Sequence, residues 1–464
     1  MKKIFMSYAV ALVSASIVLS SCDPKDVITP DPIPTSKEVI IKTDITGTRN
    51  LVKDSIYVLQ GQINVSGVLN IAPGTVIKGD KLTKGCLIVV PGGKLNAVGT
   101  AAEPIVFTSR MAPGLRAAGD WGGLVLVGKA PVNQSTAVVE GLTREVAYGT
   151  TAIPTRNAAD NSGKLQFVRI EFAGIPLLPD KEINGLTMCA VGSSTIIDHI
   201  QVSYCGDDSF EWFGGNVNAK YLIAYLGLDD EFDTDYGFTG NVQFALGVRN
   251  PRVADVSTSN GFESDNDGTG TTASPKTAPV FSNVTLIGPF KTLTTSNVNT
   301  MFGSGMHIRR NSSLSVFNSV FAGWNTGLLL DATTTYANAT SGSLAIQNCV
   351  LVGNKVKSVN GAGSVTEQQA LDFFNTVSYS NQIIADNATA KIANFYYDAT
   401  KVGTLANPTS FIPEAGSALL SGAAFAHAKL TNSFFTPTTY IGAVGTTDWT
   451  KESWTNFDPQ NTVY

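Results

Sequence analysis

One short pattern recurs along this chain and limits its possible folds more than any other feature. Phe281-Ser282-Asn283-Val284-Thr285-Leu286-Ile287-Gly288, Phe317-Asn318-Ser319-Val320-Phe321-Ala322-Gly323 and Gln347-Asn348-Cys349-Val350-Leu351-Val352-Gly353 align on an Asn followed five residues later by Gly, with apolar positions between. The segment 167–174 has the same outline with Arg169 in place of Asn, and 199–206 and 220–227 are two residues longer. The closing glycines at 174, 206, 227, 288, 323 and 353 lie mostly roughly 20 to 35 residues apart, the range of solenoid coils. That spacing is too long for hairpins, and helical periodicity is nearly absent between the repeats. Each unit reads as short strands joined by turns, and stacking the units buries Val, Ile, Leu and Phe in one inner column. A recurring Asn at one corner is expected to stack its amide on the next, satisfying polar groups away from water.

The N-terminal part follows the same plan. Ile56–Leu59, Val68–Ile71, Thr75–Ile77, Cys86–Val90 and Ile105–Phe107 are β-prone runs separated by Gly61, Gly67, Pro73-Gly74, Gly79 and Pro91-Gly92-Gly93, the turn chemistry such a fold needs. An antiparallel sandwich or a propeller would instead favour two-residue hairpins or a more regular blade. Charged residues make up 15% of the chain, and 44 glycines outnumber 32 lysines and arginines; this balance suits stacked strands better than helices.

Asn70-Ile71-Ala72-Pro73-Gly74-Thr75-Val76-Ile77, Gly92-Gly93-Lys94-Leu95-Asn96-Ala97-Val98-Gly99-Thr100 and Pro104-Ile105-Val106-Phe107-Thr108-Ser109 resemble the opening coils of pectate-lyase-like right-handed β-helix proteins. Pro413–Gly422 and Tyr440-Ile441-Gly442-Ala443 resemble closing coils of such helices. The likeness spans about residues 50 to 450 and implies an all-β, right-handed parallel β-helix. The domain is expected over 46–464, with closing coils and a C-terminal cap over 406–464. The resemblance implies fold rather than activity, because this scaffold carries lyases, hydrolases, epimerases and adhesins. The whole chain most resembles uncharacterised bacterial surface lipoproteins sharing this β-helix.

The N-terminus sets an expected address. Lys2-Lys3, an uncharged apolar stretch from Met6 to Leu19, and Leu19-Ser20-Ser21-Cys22 have the order of a secretory signal over 1–21. The last four residues resemble a lipobox, which implies cleavage before Cys22 and lipid on its thiol, and hence a membrane partner. Asp23 directly after the cysteine resembles an inner-membrane retention signal of some Gram-negative bacteria, while acidic residues just after the cysteine resemble a surface-export signal in others; an outer-membrane anchor facing the cell surface is the expectation. A proline-rich tether is expected over 22–45. Removing the signal leaves 30 basic against 37 acidic residues, which argues against nucleic acid as a partner. Cys189 and Cys205 lie one coil step apart, where a disulfide is conceivable; Cys86 and Cys349 read as buried thiols, and no cysteine spacing resembles a zinc site.

The informative chemistry lies in three acidic clusters, Gly206–Gly215, Asp229–Gly237 and Glu263–Gly268. Coil spacing should stack them on one flank. So many carboxylates require cations or raised pKa values, and calcium, with its irregular set of hard oxygen ligands, is the natural ion. The metal candidates are Asp229, Asp230, Asp233, Asp235, Glu263, Asp265 and Asp267. Solvated acidic turns capped by their own amides would leave the same pattern. Paired acids can also cleave glycosidic bonds, and Asp207, Asp208, Glu211, Asp229, Asp230 and Asp233 are the catalytic candidates. His307, Arg309, Arg310, Arg249 and Arg252 are candidate bases for a lyase, although His199 and His307 lie in strand-like repeats that suit structural histidines. Trp212, Phe213 and Tyr236 sit among the acids as candidate platforms for a sugar ring, while Trp121, Trp449 and Trp454 are placed at ends or over coils. The leading expectation is a glycan-binding or adhesive surface protein with a calcium-binding flank. A polysaccharide lyase or glycoside hydrolase, and a non-catalytic structural envelope protein, are the alternatives. No phosphate loop, nucleophile elbow or dinucleotide fingerprint is present.

Overall fold

The computed structural model describes residues 37–176, 183–399, 408 and 410–464. The expected signal over 1–21, Cys22 and most of the expected tether lie outside the described residues. The remainder of that tether is not loose chain: Lys37–Ile41 is already a strand, pairing in parallel with Ser55–Leu59, so the solenoid starts nine residues ahead of the expected 46.

Every pairing between the named strands is parallel, in one sheet of ten strands and one of seventeen. That ladder is what coil-on-coil stacking produces, and it excludes a sandwich or a propeller, whose neighbouring strands run antiparallel. The ten-stranded sheet takes one strand from each coil in chain order, from Gln62–Val65 through Leu186–Val191, Phe210–Gly215, Phe232–Asp235, Phe262–Ser264 and Ser304–Ile308 to Lys357–Ala362.

The longer sheet turns a corner. Its strands Gly163–Glu171, Ile196–Ser203, Ala219–Tyr225, Asn241–Val248 and Val280–Ile287 each carry one left-handed residue: Phe167, His199, Tyr221, Phe244 and Asn283, with φ between 52° and 62°. Register places these five in one file, which continues through Asn318 and Asn348. A left-handed residue between two extended arms redirects the chain, and Asn accepts that conformation with little strain. The repeat therefore marks the corner, but its alignment shifts in the early coils. Phe167 occupies the Asn position, and Arg169 falls two residues beyond it. Where Asn is missing, rings stack instead: Phe167 on His199 at 4.4 Å, His199 on Tyr221 at 4.3 Å and Tyr221 on Phe244 at 5.0 Å.

Register files the repeat asparagines 283, 318 and 348 one over another, but no hydrogen bond joins them, because their amides turn to the C-terminal segment. Asn318 pairs both ways with the backbone of Ala424, Asn283 donates to Tyr440 O, and Asn348 donates to Gly422 O. An amide ladder does form at Asn50, Asn70 and Asn96, with two bonds of 2.9 Å.

Residues 410–464, expected to close the coils, contain no strand. They return along the outside of the long sheet as turns and 3-10 helices. Phe411, Leu419, Ile441, Ala443, Trp449 and Trp454 cover the outward Ile223, Tyr225, Leu246, Val248 and Ile287. The inner column runs from Ile41 to Phe374, and the helix Glu367–Phe374 adds Ala370, Phe373 and Phe374 at its far end. Trp121 belongs to this column, stacked on Phe107 at 6.3 Å, rather than to an end or a cover. Cys189 lies on the outer side of its strand and Cys205 in the inner column, so no disulfide joins them; with Cys86 and Cys349 they are buried free thiols.

Candidate functional site

Side chains alternate across a strand, so the ten-stranded sheet sorts its residues by parity. In Phe210–Gly215, Phe210 and Trp212 point into the column and Glu211 and Phe213 point out; in Phe232–Asp235, Phe232 and Thr234 point in and Asp233 and Asp235 out. Register aligns the outward residues into two files. One runs Thr187, Glu211, Asp233, Glu263, His307; the other runs Cys189, Phe213, Asp235, Asp265, Arg309. The three acidic clusters thus share one flank.

Three groups of carboxylates have oxygens within 4.8 Å of one another: Asp207, Asp208 and Asp229; Asp208, Glu211 and Asp233; and Asp230, Asp233 and Glu263. They overlap at Asp208 and Asp233. Burial, then the charge of neighbouring acids, pushes the carboxyls of Asp208, Asp230, Glu211 and Asp233 well above their ordinary range. Burial also raises Asp229 to about 6.

The members differ in what already holds them. Asp208, 7% exposed, accepts the Asp230 N–H at 2.8 Å, and Asp230, 4% exposed, accepts the Asn260 N–H; Asn260 in turn accepts the Ser304 N–H at 2.9 Å. These three side chains form a staircase, each capping the backbone of the next coil. Asp229 accepts from Ser257 Oγ at 2.7 Å with one oxygen, and its Oδ1 is buried without a partner. Asp233 Oδ1 is likewise buried and unpartnered. A buried carboxylate oxygen with no donor is costly unless something positive meets it.

Several sequence candidates are engaged elsewhere. Asp265 is taken up by Arg309 at 2.9 Å and Arg310 at 2.8 Å. Asp267 accepts from the backbone and hydroxyls of Thr269 and Thr271; burial acts upward on it, but these bonds hold its carboxyl below its ordinary value. Asp235 accepts the Tyr236 N–H at 2.6 Å and belongs to none of the three groups. Trp212 is fully buried, stacked on Phe238 at 5.3 Å, so it offers no face to a sugar. Phe213 and Tyr236 are partly covered, 5.4 Å apart, and packed against an apolar cluster that includes Val132, Val146 and Tyr148 from the segment 129–160.

Of the candidate bases, Arg249 is fully buried, paired with Glu231 at 2.9 Å and bonded to carbonyls of Asp229 and Leu228. Arg309 bridges Glu263 and Asp265. His307 stands in the acidic file, with Glu263 at 4.0 Å and Asp331 at 3.4 Å, whereas His199 is a rung of the corner stack. Asn260 carries no charge and so stands outside the acidic clusters; the sequence signal for it is its place one coil beyond Asp230.

Beside the flank lies a cleft of about 540 Å³ lined by Asp207, Asp229, Asp255, Ser257 and backbone at Gly119, Gly174 and Gly206. A side chain on Gly206 would come within 2.7 Å of Gly174 O and 2.9 Å of Gly119 N, so glycine there lets three coils approach.

Parallel coils stacked round one apolar column, with a flank of carboxylates on one sheet, define a parallel β-helix protein. Residues 43–396 match the family model of a pectate-lyase-like β-helix domain, and the chain belongs to that family. No curated protein and no solved structure matches it.

Proposed function

We propose that this protein is an exported, lipid-anchored surface protein that binds glycan through a calcium-loaded acidic flank. The observation that carries the reading is the chain of three carboxylate groups joined through Asp208 and Asp233, with a buried Asp233 oxygen that has no donor. Asp207, Asp208, Glu211, Asp229, Asp230, Asp233 and Glu263 are the residues that would hold the ion. Calcium takes six to eight oxygens. Each group supplies three carboxylates, leaving positions for water or sugar oxygens, and the adjoining cleft gives a ring room to approach. With Trp212 inside the column, recognition rests on oxygen chemistry rather than aromatic stacking. Lipid on Cys22, an outer-membrane anchor facing outward, and the following tether would present this flank to glycan at the cell surface.

Titrating a soluble chain that starts after Cys22 with calcium, then with acidic and neutral polysaccharides, tests this. Expected are calcium binding that Asp233→Asn weakens at least about tenfold, and glycan binding lost in chelator. Glycan binding that is indifferent to both calcium and Asp233 would overturn it.

A second reading, polysaccharide cleavage by a lyase or hydrolase, draws on Asp229. A carboxyl raised to about 6 beside Asp207 in an open cleft suits a general acid near neutral pH. New chain ends in the same panel, abolished by Asp229→Asn in a folded protein, would favour cleavage over binding.

A further inference from the structure

Most arginines near the acidic flank are committed: Arg249 to Glu231, Arg309 to Glu263 and Asp265, and Arg310 to Asp265. Arg252 and Lys291 are not. Among the described residues neither side chain makes a hydrogen bond or an ion pair, and both line one cleft of about 200 Å³. In a chain of net charge −5, one concavity gathers two uncommitted, exposed cations against a single carboxylate, Asp398, and this local excess of positive charge attracts an anionic ligand.

The rest of the lining narrows its class. Thr292, Thr295 and Ser296 add hydroxyls to the same lining, and Thr295 Oγ1 already accepts the Thr292 N–H at 2.9 Å, which orders that rim. A guanidinium fork, an ammonium and several hydroxyls offer donors from more directions than a planar carboxylate fills, and suit the three terminal oxygens of a tetrahedral ester. Pro251, Pro289 and Tyr397 add apolar walls of the kind that meet a ring face. Asp398 also lines the cleft and disfavours a second negative group close by. The loop between strands Asn241–Val248 and Phe262–Ser264 walls both clefts, giving Arg252 to this one and Asp255 and Ser257 to the acidic one.

We propose that this cleft binds a sugar unit bearing a sulfate or phosphate ester, next to the calcium-dependent flank. The proposal rests on the glycan-binding reading and names a substituent of that glycan.

The test compares the wild-type soluble chain with Arg252→Ala/Lys291→Ala, whose changes are confined to uncommitted surface side chains. The probes are dextran sulfate, phosphomannan, polygalacturonate and plain dextran, each with calcium and with chelator. Expected is binding of dextran sulfate or phosphomannan in calcium that the double variant weakens at least about tenfold. Whichever polymer binds identifies the ester. Equal binding by wild type and variant, no binding of either ester polymer, or equally tight binding of polygalacturonate would overturn the proposal. Binding that persists in chelator and that the double variant still weakens would support this cleft while overturning the calcium dependence proposed for the acidic flank.

Discussion

At Asn318 one side chain serves two ends. Its backbone sits at φ 51°, a conformation that costs most residues about 1–2 kcal/mol, and its amide both donates to and accepts from Ala424. Asn318→Ala should lose about 2–4 kcal/mol in denaturant unfolding, from strain and from stranded backbone groups. Asn318→Gly should recover the strain and leave the hydrogen-bond loss. Asp208 makes a contrasting case, since Asn260 performs the same capping two coils on with no charge. Asp208→Asn should keep the metal-free fold within about 1 kcal/mol, whereas Asp208→Ala, leaving the Asp230 N–H bare, should cost about 1–3 kcal/mol. The repeat made the corner residue legible at 283, 318 and 348. It misplaced the early coils because ring stacking at Phe167, His199 and Tyr221 fills the same station without an amide.

The ten-stranded sheet shows how far alternation can be read from sequence. Adjacent residues of a strand face opposite ways, so Glu211 and Trp212 cannot both face a ligand. Composition puts them in one cluster; parity separates them. Trp212→Ala should destabilise the fold by about 3–5 kcal/mol, measured by unfolding, as a column cavity rather than a binding defect. The stacking of Glu211, Asp233 and Glu263 was legible from coil spacing. The neutralisation of Asp265 by Arg309 and Arg310, a coil away, was not, because it depends on which faces meet.

This face also sets a pH dependence. Asp208, Glu211, Asp230 and Asp233 are raised by burial and mutual charge, so the folded state holds their protons more tightly than the unfolded chain does. Their stabilising effect is present in acid and lost as pH rises through the raised values; for Asp229 the window runs from 3.8 to about 6. In chelator, the melting temperature should therefore fall as pH rises above about 4. If the calcium reading holds, the ion at about a hundred times its Kd should restore about 2.7 kcal/mol at neutral pH.

At the scale of the molecule, the C-terminal segment is what sequence likeness misplaced: its short apolar runs look like coil strands but cover the outer side of the long sheet. Gln243 clamps the backbone of Thr436 in both directions and Gln201 that of Asn456, while Tyr464 reaches Glu171 at 2.7 Å. With Arg116 bonded to Pro459 O and Thr462 O and Lys78 to Tyr464 O, the segment touches coils from Asn348 back to Lys78. A solenoid held only by neighbouring coils can unzip from either end. Here, freeing the terminal coils also strips the cover from Ile223, Leu246 and Ile287 in the middle, so loss at one end is felt several coils away. Gln243→Ala should loosen that linkage, read as a broadened melting transition and faster amide exchange in 428–441 than in the inner strands. In mechanical terms the chain has sewn its own spine shut: a pull or a protease would meet one all-or-none body instead of a row of separable turns.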